Sequence, residues 1–215
     1  MLLVRHGRTA VNAQGRLSGR HDPDLDEVGR RQAAALGEEV AVASFGAPLT
    51  VVSSPLGRCV QTARALMAVC DIDGGGAEGE VPTDRRFLEM DYGDWDGRPI
   101  SEVPPDAWRQ WRDDPSFCPP GGETLSSVSH RVAEGITHLA PTAVGGTLVV
   151  VSHVSPIKAG VTWALGVGDE VTWRMRLDNA SICRLAVSCG SDGSVRGALR
   201  SFNETAHLRS DVRGD

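Results

Sequence analysis

Two apolar segments of this chain are each followed closely by a histidine, and this feature restricts the fold more than any other. Leu2–Val4 runs directly into Arg5 and His6, and Thr147–Val151 is followed two residues later by His153. Short continuous apolar runs are typical of strands that are buried on both faces of a parallel sheet. Since the carboxyl ends of such strands meet at one edge, the two histidines are expected to lie close together.

Amphipathic stretches alternate with the apolar runs and predict helices between the strands. The predicted strands are Leu2–Val4, Val51–Val52, Thr147–Val151, Val171–Leu177, Ser181–Val187 and Val195–Ser201. The predicted helices cover residues 26–42, 55–69, 123–139 and 156–165, and the Gly-rich stretch Gly74–Gly79 is expected to be a loop. This order predicts an α/β fold, a three-layer α/β/α sandwich with a mostly parallel central sheet, in which the closely spaced final strands are expected to be antiparallel.

The length of 215 residues fits one large α/β domain or two small ones, and we expect a single domain over residues 1–215. Residues 84–122 have no clear periodicity and contain Trp95, Trp108 and Trp111. Long irregular segments in compact domains are often binding loops, so residues 90–122 are expected to form a lid-like segment. The three tryptophans are expected to pack in the core.

The acidic balance and the cysteine pattern disfavour several classes of protein. The net charge is −6, whereas nucleic-acid-binding proteins normally carry a basic stripe, so no nucleic-acid partner is expected. Five scattered cysteines without a Cys-x-x-Cys pair indicate reduced thiols rather than disulfides or a zinc site. The apolar run at the N-terminus is too short for a signal peptide or a membrane anchor. We therefore expect a cytoplasmic protein without membrane contact.

Cationic side chains follow three of the predicted strands. Arg5 and His6 follow the first, Arg58 follows the second, and His153 follows the third apolar run. A cation in the first turn of a helix is unfavourable for the helix dipole, so Arg58 is better explained by an anionic ligand. The sequence therefore predicts an anion site at this edge of an otherwise acidic protein.

Two Ser-Pro pairs add to this prediction. Ser54 and Ser155 each precede a proline at the start of a predicted helix, which is the usual order of an N-cap and a first helical residue. The free N–H groups at such helix starts attract anions.

The segment Arg86–Gly97 carries four carboxylates that are candidates for a general acid: Glu89, Asp91, Asp94 and Asp96. An acid is needed when an ester is cleaved because an alkoxide leaves poorly. Spacing alone does not choose among the four, although Asp94 and Asp96 are expected to lie on a solvated acidic loop.

Together these segments resemble the histidine phosphatase superfamily, also called phosphoglycerate-mutase-like, over nearly the whole chain. The matching motifs are Leu3-Val4-Arg5-His6-Gly7-Arg8-Thr9 with Asn12, Gly15-Arg16-Leu17-Ser18-Gly19, Ser53-Ser54-Pro55-Leu56-x-Arg58, Arg86-x-x-Glu89-x-x-x-Gly93-x-Trp95-x-Gly97, Pro120-Gly121-Gly122-Glu123-Thr124 and Val151-Ser152-His153. Each motif alone is weak, but their order and spacing are specific.

The resemblance implies that His6 is the nucleophile and that Glu89 protonates the leaving group and then activates water. It also implies that Arg5, Arg58 and His153 bind the oxygens of the phosphoryl group. Further predicted substrate-binding residues are Asn12, Ser18, Gly19 and Glu123. No metal ion and no cofactor is implied, and the residues that flank the two histidines are not metal-ligating carboxylates.

Two residues depart from the pattern that is common in the family. Arg8 and Ser18 stand where many members have other polar residues, and both are expected to line the mouth of the pocket. His207, in a C-terminal segment found in some members, is expected to pack on the sheet edge rather than to reach the site.

The function implied is hydrolysis of a small phosphorylated metabolite with release of inorganic phosphate, through a phosphohistidine at His6. The short segment between Gly97 and Gly121 resembles the phosphatase branch, such as broad-specificity acid phosphatases and α-ribazole phosphatases. The alternatives are a cofactor-dependent phosphoglycerate mutase, which needs 2,3-bisphosphoglycerate, a phosphate-binding regulatory module, and a phosphoprotein phosphatase. A homodimer is compatible with each of these functions.

Overall fold

The computed structural model describes residues 1–72 and 80–208. Its centre is a sheet of β1 (Leu2–Arg5), β2 (Leu49–Ser53), β3 (Thr147–Ser152), β4 (Ile182–Cys189) and β5 (Val195–Glu204). The strand order is β2-β3-β1-β4-β5, with β2, β3 and β1 parallel and β4 antiparallel to both β1 and β5. The predicted α/β class is confirmed, and the sheet is mixed because its last two strands form the expected antiparallel part.

The α-helices of the described residues are α1 (Ala10–Ala13), α2 (Glu27–Ala43), α3 (Gly57–Val69), α4 (Pro105–Asp113), α5 (Leu125–Leu139) and α6 (Val154–Leu165). Short 3₁₀ helices cover Arg85–Phe87, Gly93–Trp95, Ile100–Glu102, Ala140–Ala143 and Asp169–Arg174. The predicted loop Gly74–Gly79 lies outside the described residues. In residues 1–72 and 80–208, no helix has the length and apolar character needed to cross a membrane.

Helices cover both faces of the sheet. Along β3, Leu148 and Val150 pack in the layer of α5 and α6, while Val149 and Val151 pack in the layer of α2 and α3. Successive side chains of a strand point to opposite faces, so a continuous apolar run fills both layers. This confirms the prediction that β3 is buried on both sides.

The parallel strands end together and deliver their next residues to one edge. Arg5 of β1 lies opposite Ser152 of β3, and the chain continues from these strands into His6 and His153. Gly7 then passes against the start of α2, where a β-carbon would collide with a backbone carbonyl. Glycine is therefore required for this close approach next to His6.

The predicted strand Val171–Leu177 is wrong, because most of this segment is the 3₁₀ helix Asp169–Arg174. The segment packs on α4, α5 and α6, and helix surfaces offer no backbone ladder for a strand to extend. Its alternating apolar residues therefore pack against helices, whereas their periodicity predicted a strand beside other strands of the sheet.

Neither Ser54 nor Ser155 is an N-cap, contrary to prediction. α3 begins three residues after Ser54, and α6 begins one residue before Ser155. Carboxylates from other parts of the chain cap these helices instead. Asp22 accepts a hydrogen bond of 2.6 Å from the first N–H of α3, and Glu89 accepts one of 3.1 Å from the first N–H of α6.

A pair of leucine variants tests the layer formed by α2. Leu36 of α2 has 0% exposure, whereas Leu165 at the end of α6 is 48% exposed. Leu36→Ala should lower the free energy of unfolding in urea by about 2–5 kcal/mol, because it leaves a cavity in the core. Leu165→Ala should change it by less than about 1 kcal/mol. Equal losses in the two variants would contradict this packing.

Candidate active site

A cavity of about 210 Å³ lies at the carboxyl edge of the parallel strands. Among its lining residues are five that the sequence predicts: Arg5, His6, Asn12, Ser18 and Glu89. Arg58 and His153 do not line it, and both are fully buried. The imidazole rings of His6 and His153 are 5.1 Å apart and inclined at 63°, so the two histidines meet as expected.

A hydrogen bond fixes the tautomer of His6. Its Nδ1 lies 2.7 Å from the carbonyl oxygen of Gly7, and because a carbonyl only accepts, Nδ1 carries the proton. Nε2 therefore keeps its lone pair, as a nucleophile requires. The backbone of His6 is held on both sides: its N–H donates to Ser152, and its carbonyl accepts from the N–H of Ala180.

Both imidazoles are held in the neutral state. Burial lowers the pKa of His6 well below its usual range, and the charges of Arg58 and Arg5 lower this pKa further. Burial also lowers the pKa of His153 well below its usual range, again with Arg58 as the next cause. Nε2 of His153 lies 2.8 Å from the hydroxyl of Ser54. At pH 7 the two imidazoles therefore add no positive charge to the site.

The loop of residues 18–22 surrounds the guanidinium of Arg58. Nη1 donates to the carbonyl of His21 at 2.9 Å and to the carboxylate of Asp22 at 3.2 Å. Nη2 donates to the carbonyls of Ser18 at 3.1 Å and Gly19 at 3.0 Å. A buried charge needs such partners because removing it from water costs free energy that these hydrogen bonds must offset. The loop therefore fixes the position of the cation.

Asp96 in turn organises this loop. Its carboxylate accepts hydrogen bonds from the backbone N–H groups of Gly19 at 2.7 Å, Arg20 at 2.8 Å and His21 at 2.7 Å. The expectation that Asp96 lies on a solvated acidic loop is therefore wrong. Its partners are far away in the sequence, so local spacing gave no sign of them.

Arg5 supplies the second guanidinium. Its Nη1 donates to the carbonyl of Leu177 at 2.6 Å, and burial lowers the pKa of Arg5 to about 10 although the charge of Glu89 opposes this. Within residues 1–72 and 80–208, the buried Nε atoms of Arg5 and Arg58 have no hydrogen-bond acceptor. A buried N–H without an acceptor is costly, and because Arg5 lines the cavity, an oxyanion there can pair with its guanidinium.

Glu89 lies at the positive end of the α6 dipole. Its Oε1 accepts from the N–H of Met90 at 2.8 Å and of Ser155 at 3.1 Å, and Oε2 accepts from Val154 at 3.1 Å. Of the four acidic candidates, Glu89 lines the cavity and the other three do not. The structure therefore favours Glu89 among the four candidates for the general acid, which spacing alone did not distinguish.

Asn12 is oriented by its neighbours. Its Oδ1 accepts from the N–H of Thr9 at 3.1 Å, from the Thr9 hydroxyl at 3.0 Å and from Nδ2 of Asn179 at 3.3 Å. The amide nitrogen of Asn12 is the donor that remains on this cavity-lining side chain.

Of the other predicted substrate-binding residues, Ser18 lines the cavity, whereas Gly19 and Glu123 do not. The hydroxyl of Ser18 donates to the carbonyl of His21 at 3.1 Å. Arg131 binds both carboxylate oxygens of Glu123 at 2.8 and 3.0 Å.

Arg8 does not line the cavity, contrary to expectation. Its guanidinium pairs at 2.8 Å with Asp26, the N-cap of α2. His207 does not line the cavity, as expected, and its Nε2 lies 2.9 Å from the carbonyl oxygen of Ala180.

The predicted core tryptophans also build a cavity wall. Trp95 and Trp111 are buried, with ring centroids 5.6 Å apart, and Trp108 lies 5.2 Å from Trp111. Trp108, Trp111 and Trp173 line the cavity. Core packing is therefore confirmed for Trp95 and Trp111, and the same cluster shapes the site.

Comparison with known proteins gives the family of this chain. The model of the histidine phosphatase superfamily (branch 1) matches residues 1–196. The chain belongs to the histidine phosphatase superfamily. The predicted resemblance is thereby confirmed.

Several curated members of the superfamily are similar to the chain. It is 37% identical over 211 residues to the bifunctional protein Rv2228c of Mycobacterium tuberculosis, covering 97% of the chain but 54% of that protein. It is 34% identical to glucosyl-3-phosphoglycerate phosphatase of Mycolicibacterium vanbaalenii, covering 99% and 97%. It is 32% identical to phosphoserine phosphatase 1 of Hydrogenobacter thermophilus, covering 97% and 93%. The chain thus spans about half the length of the first relative and nearly all of the other two.

Solved structures of the superfamily share the fold. Mycobacterial hydrolase 2 matches with a TM-score of 0.86 at 28% identity, covering 99% of this chain and 93% of the other. Mycobacterial glucosyl-3-phosphoglycerate phosphatase in complex with inorganic phosphate matches with a TM-score of 0.81 at 27% identity, covering 97% and 99%. A mutant phosphoserine phosphatase of Entamoeba histolytica in complex with phosphoserine matches with a TM-score of 0.80 at 25% identity, covering 97% and 98%.

Sequence reasoning missed several residues of this superfamily site. Tyr92, Lys158, Thr172 and Trp173 line the cavity but stand in none of the predicted roles. Lys158 lies on α6, five residues after His153, which precedes that helix. The sequence offered one signal for it, because Lys158 is its only lysine.

An NMR titration tests the neutral state of the two imidazoles. The His6 and His153 signals, assigned with His6→Gln, should stay in the neutral form well below pH 6.5, because their pKa values are lowered in the folded protein. The unfolded chain takes up protons near pH 6.5, so stability should fall as pH decreases below that value. Titration of either ring near pH 6.5 would contradict the electrostatics described above.

Proposed function

We propose that this chain is a phosphomonoester hydrolase that transfers the phosphoryl group of a small phosphorylated metabolite to Nε2 of His6. The observation that carries the proposal is a neutral imidazole with a free lone pair beside two guanidinium groups, that of Arg58, which is fully buried, and that of Arg5, which lines the cavity. A neutral imidazole attacks an electrophile near pH 7, whereas a protonated one does not. The arginines supply the charge that phosphoryl transfer requires.

In the first step, Nε2 of His6 forms a bond to phosphorus as the ester P–O bond breaks. Arg5, which lines the cavity, binds the equatorial oxygens, over which the transition state spreads its charge. Arg58 adds its positive charge from its buried position, and His153 lies beside His6. Protonated Glu89 gives its proton to the leaving oxygen. In the second step, the Glu89 carboxylate takes a proton from water as the water oxygen attacks phosphorus, and the N–P bond breaks to release phosphate.

The named relatives support this reaction class. Two of the curated relatives are named as phosphatases of phosphoserine and of glucosyl-3-phosphoglycerate, and one similar structure contains inorganic phosphate. The cavity of about 210 Å³ is smaller than the roughly 300–1,000 Å³ of sites for drug-sized ligands, so it suits a small metabolite. These observations favour hydrolysis over the alternative of a phosphoglycerate mutase, and the complete set of reacting groups disfavours a regulatory module.

Metal independence is part of the proposal. Within the described residues, no three His, Cys, Asp or Glu side chains are grouped as metal ligands, and the arginines fill the role that a metal would have. We also propose one domain over residues 1–215 that acts without cofactor or nucleic acid, with residues 90–122 as the lid-like wall. The five free thiols support a cytoplasmic location, and a homodimer remains a prediction.

Removal of the nucleophile should abolish turnover. His6→Ala should lower kcat for p-nitrophenyl phosphate by at least about 10³-fold, because no other group replaces the attacking nitrogen. His130→Ala, at a side chain that is 79% exposed, is the matched control and should keep kcat within about twofold. Activity of His6→Ala near that of the control would contradict the nucleophile assignment.

A leaving-group series tests Glu89. Glu89→Gln should slow hydrolysis of alkyl phosphates about 10²–10⁴-fold, but slow p-nitrophenyl phosphate much less because nitrophenolate leaves without a proton. Asp94→Asn is the control, since Asp94 is an exposed carboxylate of the same segment. Kinetic assays that find equal losses for good and poor leaving groups in Glu89→Gln would rule out the acid role.

A further inference from the structure

Lys158 is the only lysine in the sequence, in which every other basic residue of the Lys and Arg total of 22 is an arginine. It is half-buried and lines the cavity. An ammonium is a compact, strongly hydrated charge, whereas a guanidinium is planar and more weakly hydrated. A chain that uses arginine at all of its other basic positions thus places its one ammonium in the wall of the active site.

The position of Lys158 on α6 brings its side chain near the reacting groups. Lys158 lies one helical turn after Val154, whose N–H binds Glu89 at 3.1 Å. Residues four apart lie on the same helix face, about 6 Å apart along the axis. The Cα–Cβ bonds of a helix tilt toward its N-terminus, so the Lys158 side chain leans toward the Glu89 end of the cavity.

The ammonium of Lys158 lacks a protein counterion. Across residues 1–72 and 80–208, no carboxylate oxygen lies within 4.0 Å of it, and no protein group hydrogen-bonds it. Burial lowers the pKa of Lys158 to about 8; the charge of Glu89 opposes this shift and that of Arg5 adds to it. A partly buried charge without a partner is costly, and an anionic ligand would remove that cost.

Besides Arg5, tryptophans and one other basic side chain, Arg16, lie in the cavity wall with Lys158. Trp108, Trp111 and Trp173 form its aromatic part, and Arg16 donates to the carbonyl of Gly97 at 3.0 Å in an exposed position. A substrate whose phosphoryl group is bound by Arg5 therefore meets in Lys158 a partly buried cation that no oxygen of the described residues binds, whereas Arg16 is exposed and already donates to a backbone carbonyl.

We infer that Lys158 binds a carboxylate of the substrate. The enzyme then acts on compact phosphorylated carboxylic acids, and this inference rests on the proposed phosphatase function. One ammonium matches the single charge of a carboxylate. A second phosphoryl group would need several donors, as the pocket of Arg5 and Arg58 provides for the first one. The wall of tryptophans leaves room for a short organic linker between the two anionic groups.

Phosphoserine and phosphoethanolamine form a matched pair of probes, since they differ only by a carboxylate. The ratio of kcat/KM for phosphoserine to kcat/KM for phosphoethanolamine should exceed one in the wild type. Lys158→Met should lower that ratio about 10- to 100-fold, as expected for loss of a charged hydrogen bond. Lys158→Arg should keep most of the preference. Arg176→Met removes a cation whose side chain is 89% exposed and should leave the ratio unchanged.

A binding measurement separates this inference from the phosphatase proposal. With lysine labelled with ¹⁵N, the protein has a single lysine ammonium signal, and the His6→Ala variant prevents turnover. Titration with phosphoserine should raise the pKa of this ammonium more than titration with phosphoethanolamine does. An equal response to the two probes would overturn the inference, as would an equal loss of both activities in Lys158→Met. If the wild type hydrolyses neither probe but the ammonium still responds to the carboxylate, the phosphatase proposal fails while the carboxylate site stands.

Discussion

The placement of two guanidinium groups, one fully buried and one partly buried, beside two neutral imidazoles is the constraint on which the rest of the structure depends. Moving a full charge out of water costs several kcal/mol per ion, so each arginine must be held by other parts of the chain. Four loop oxygens bind Arg58, and Asp96 holds that loop through three backbone N–H groups. Burial lowers the pKa of His6, and the charges of Arg58 and Arg5 lower it further. The same arrangement thus holds the cations in place and keeps His6 unprotonated.

The N-termini of α3 and α6 at this edge are not open to an anionic ligand, because carboxylates of the chain already bind their N–H groups. Asp22 binds the start of α3, and Glu89 binds the start of α6. The dipole of α3 therefore holds Asp22, which binds Arg58, and the dipole of α6 holds Glu89, which lines the cavity. The proposed phosphoryl site therefore draws its positive charge from Arg5 and Arg58 rather than from the helix starts.

Local sequence was sufficient for the features that depend on neighbours in the chain. The buried run of β3 and the placement of His153 after it follow from hydrophobic periodicity. The helix caps did not follow, because Ser54 and Ser155 have the right local pattern but Asp22 and Glu89 reach the N–H groups from distant segments. Long-range hydrogen bonds of this kind leave no periodic trace. Composition did carry one unused signal, since a single lysine at residue 158 is unusual among so many arginines.

The central claim is that this electrostatic arrangement serves a phosphoryl transfer to His6, and isolation of the phosphorylated enzyme tests it most directly. The wild type is mixed with a ³²P-labelled phosphomonoester that it hydrolyses, quenched in alkali within milliseconds, digested and mapped by mass spectrometry. The account predicts an acid-labile label on the peptide that carries His6. A label on Ser54 or His153, or rapid hydrolysis without any labelled enzyme, would contradict it.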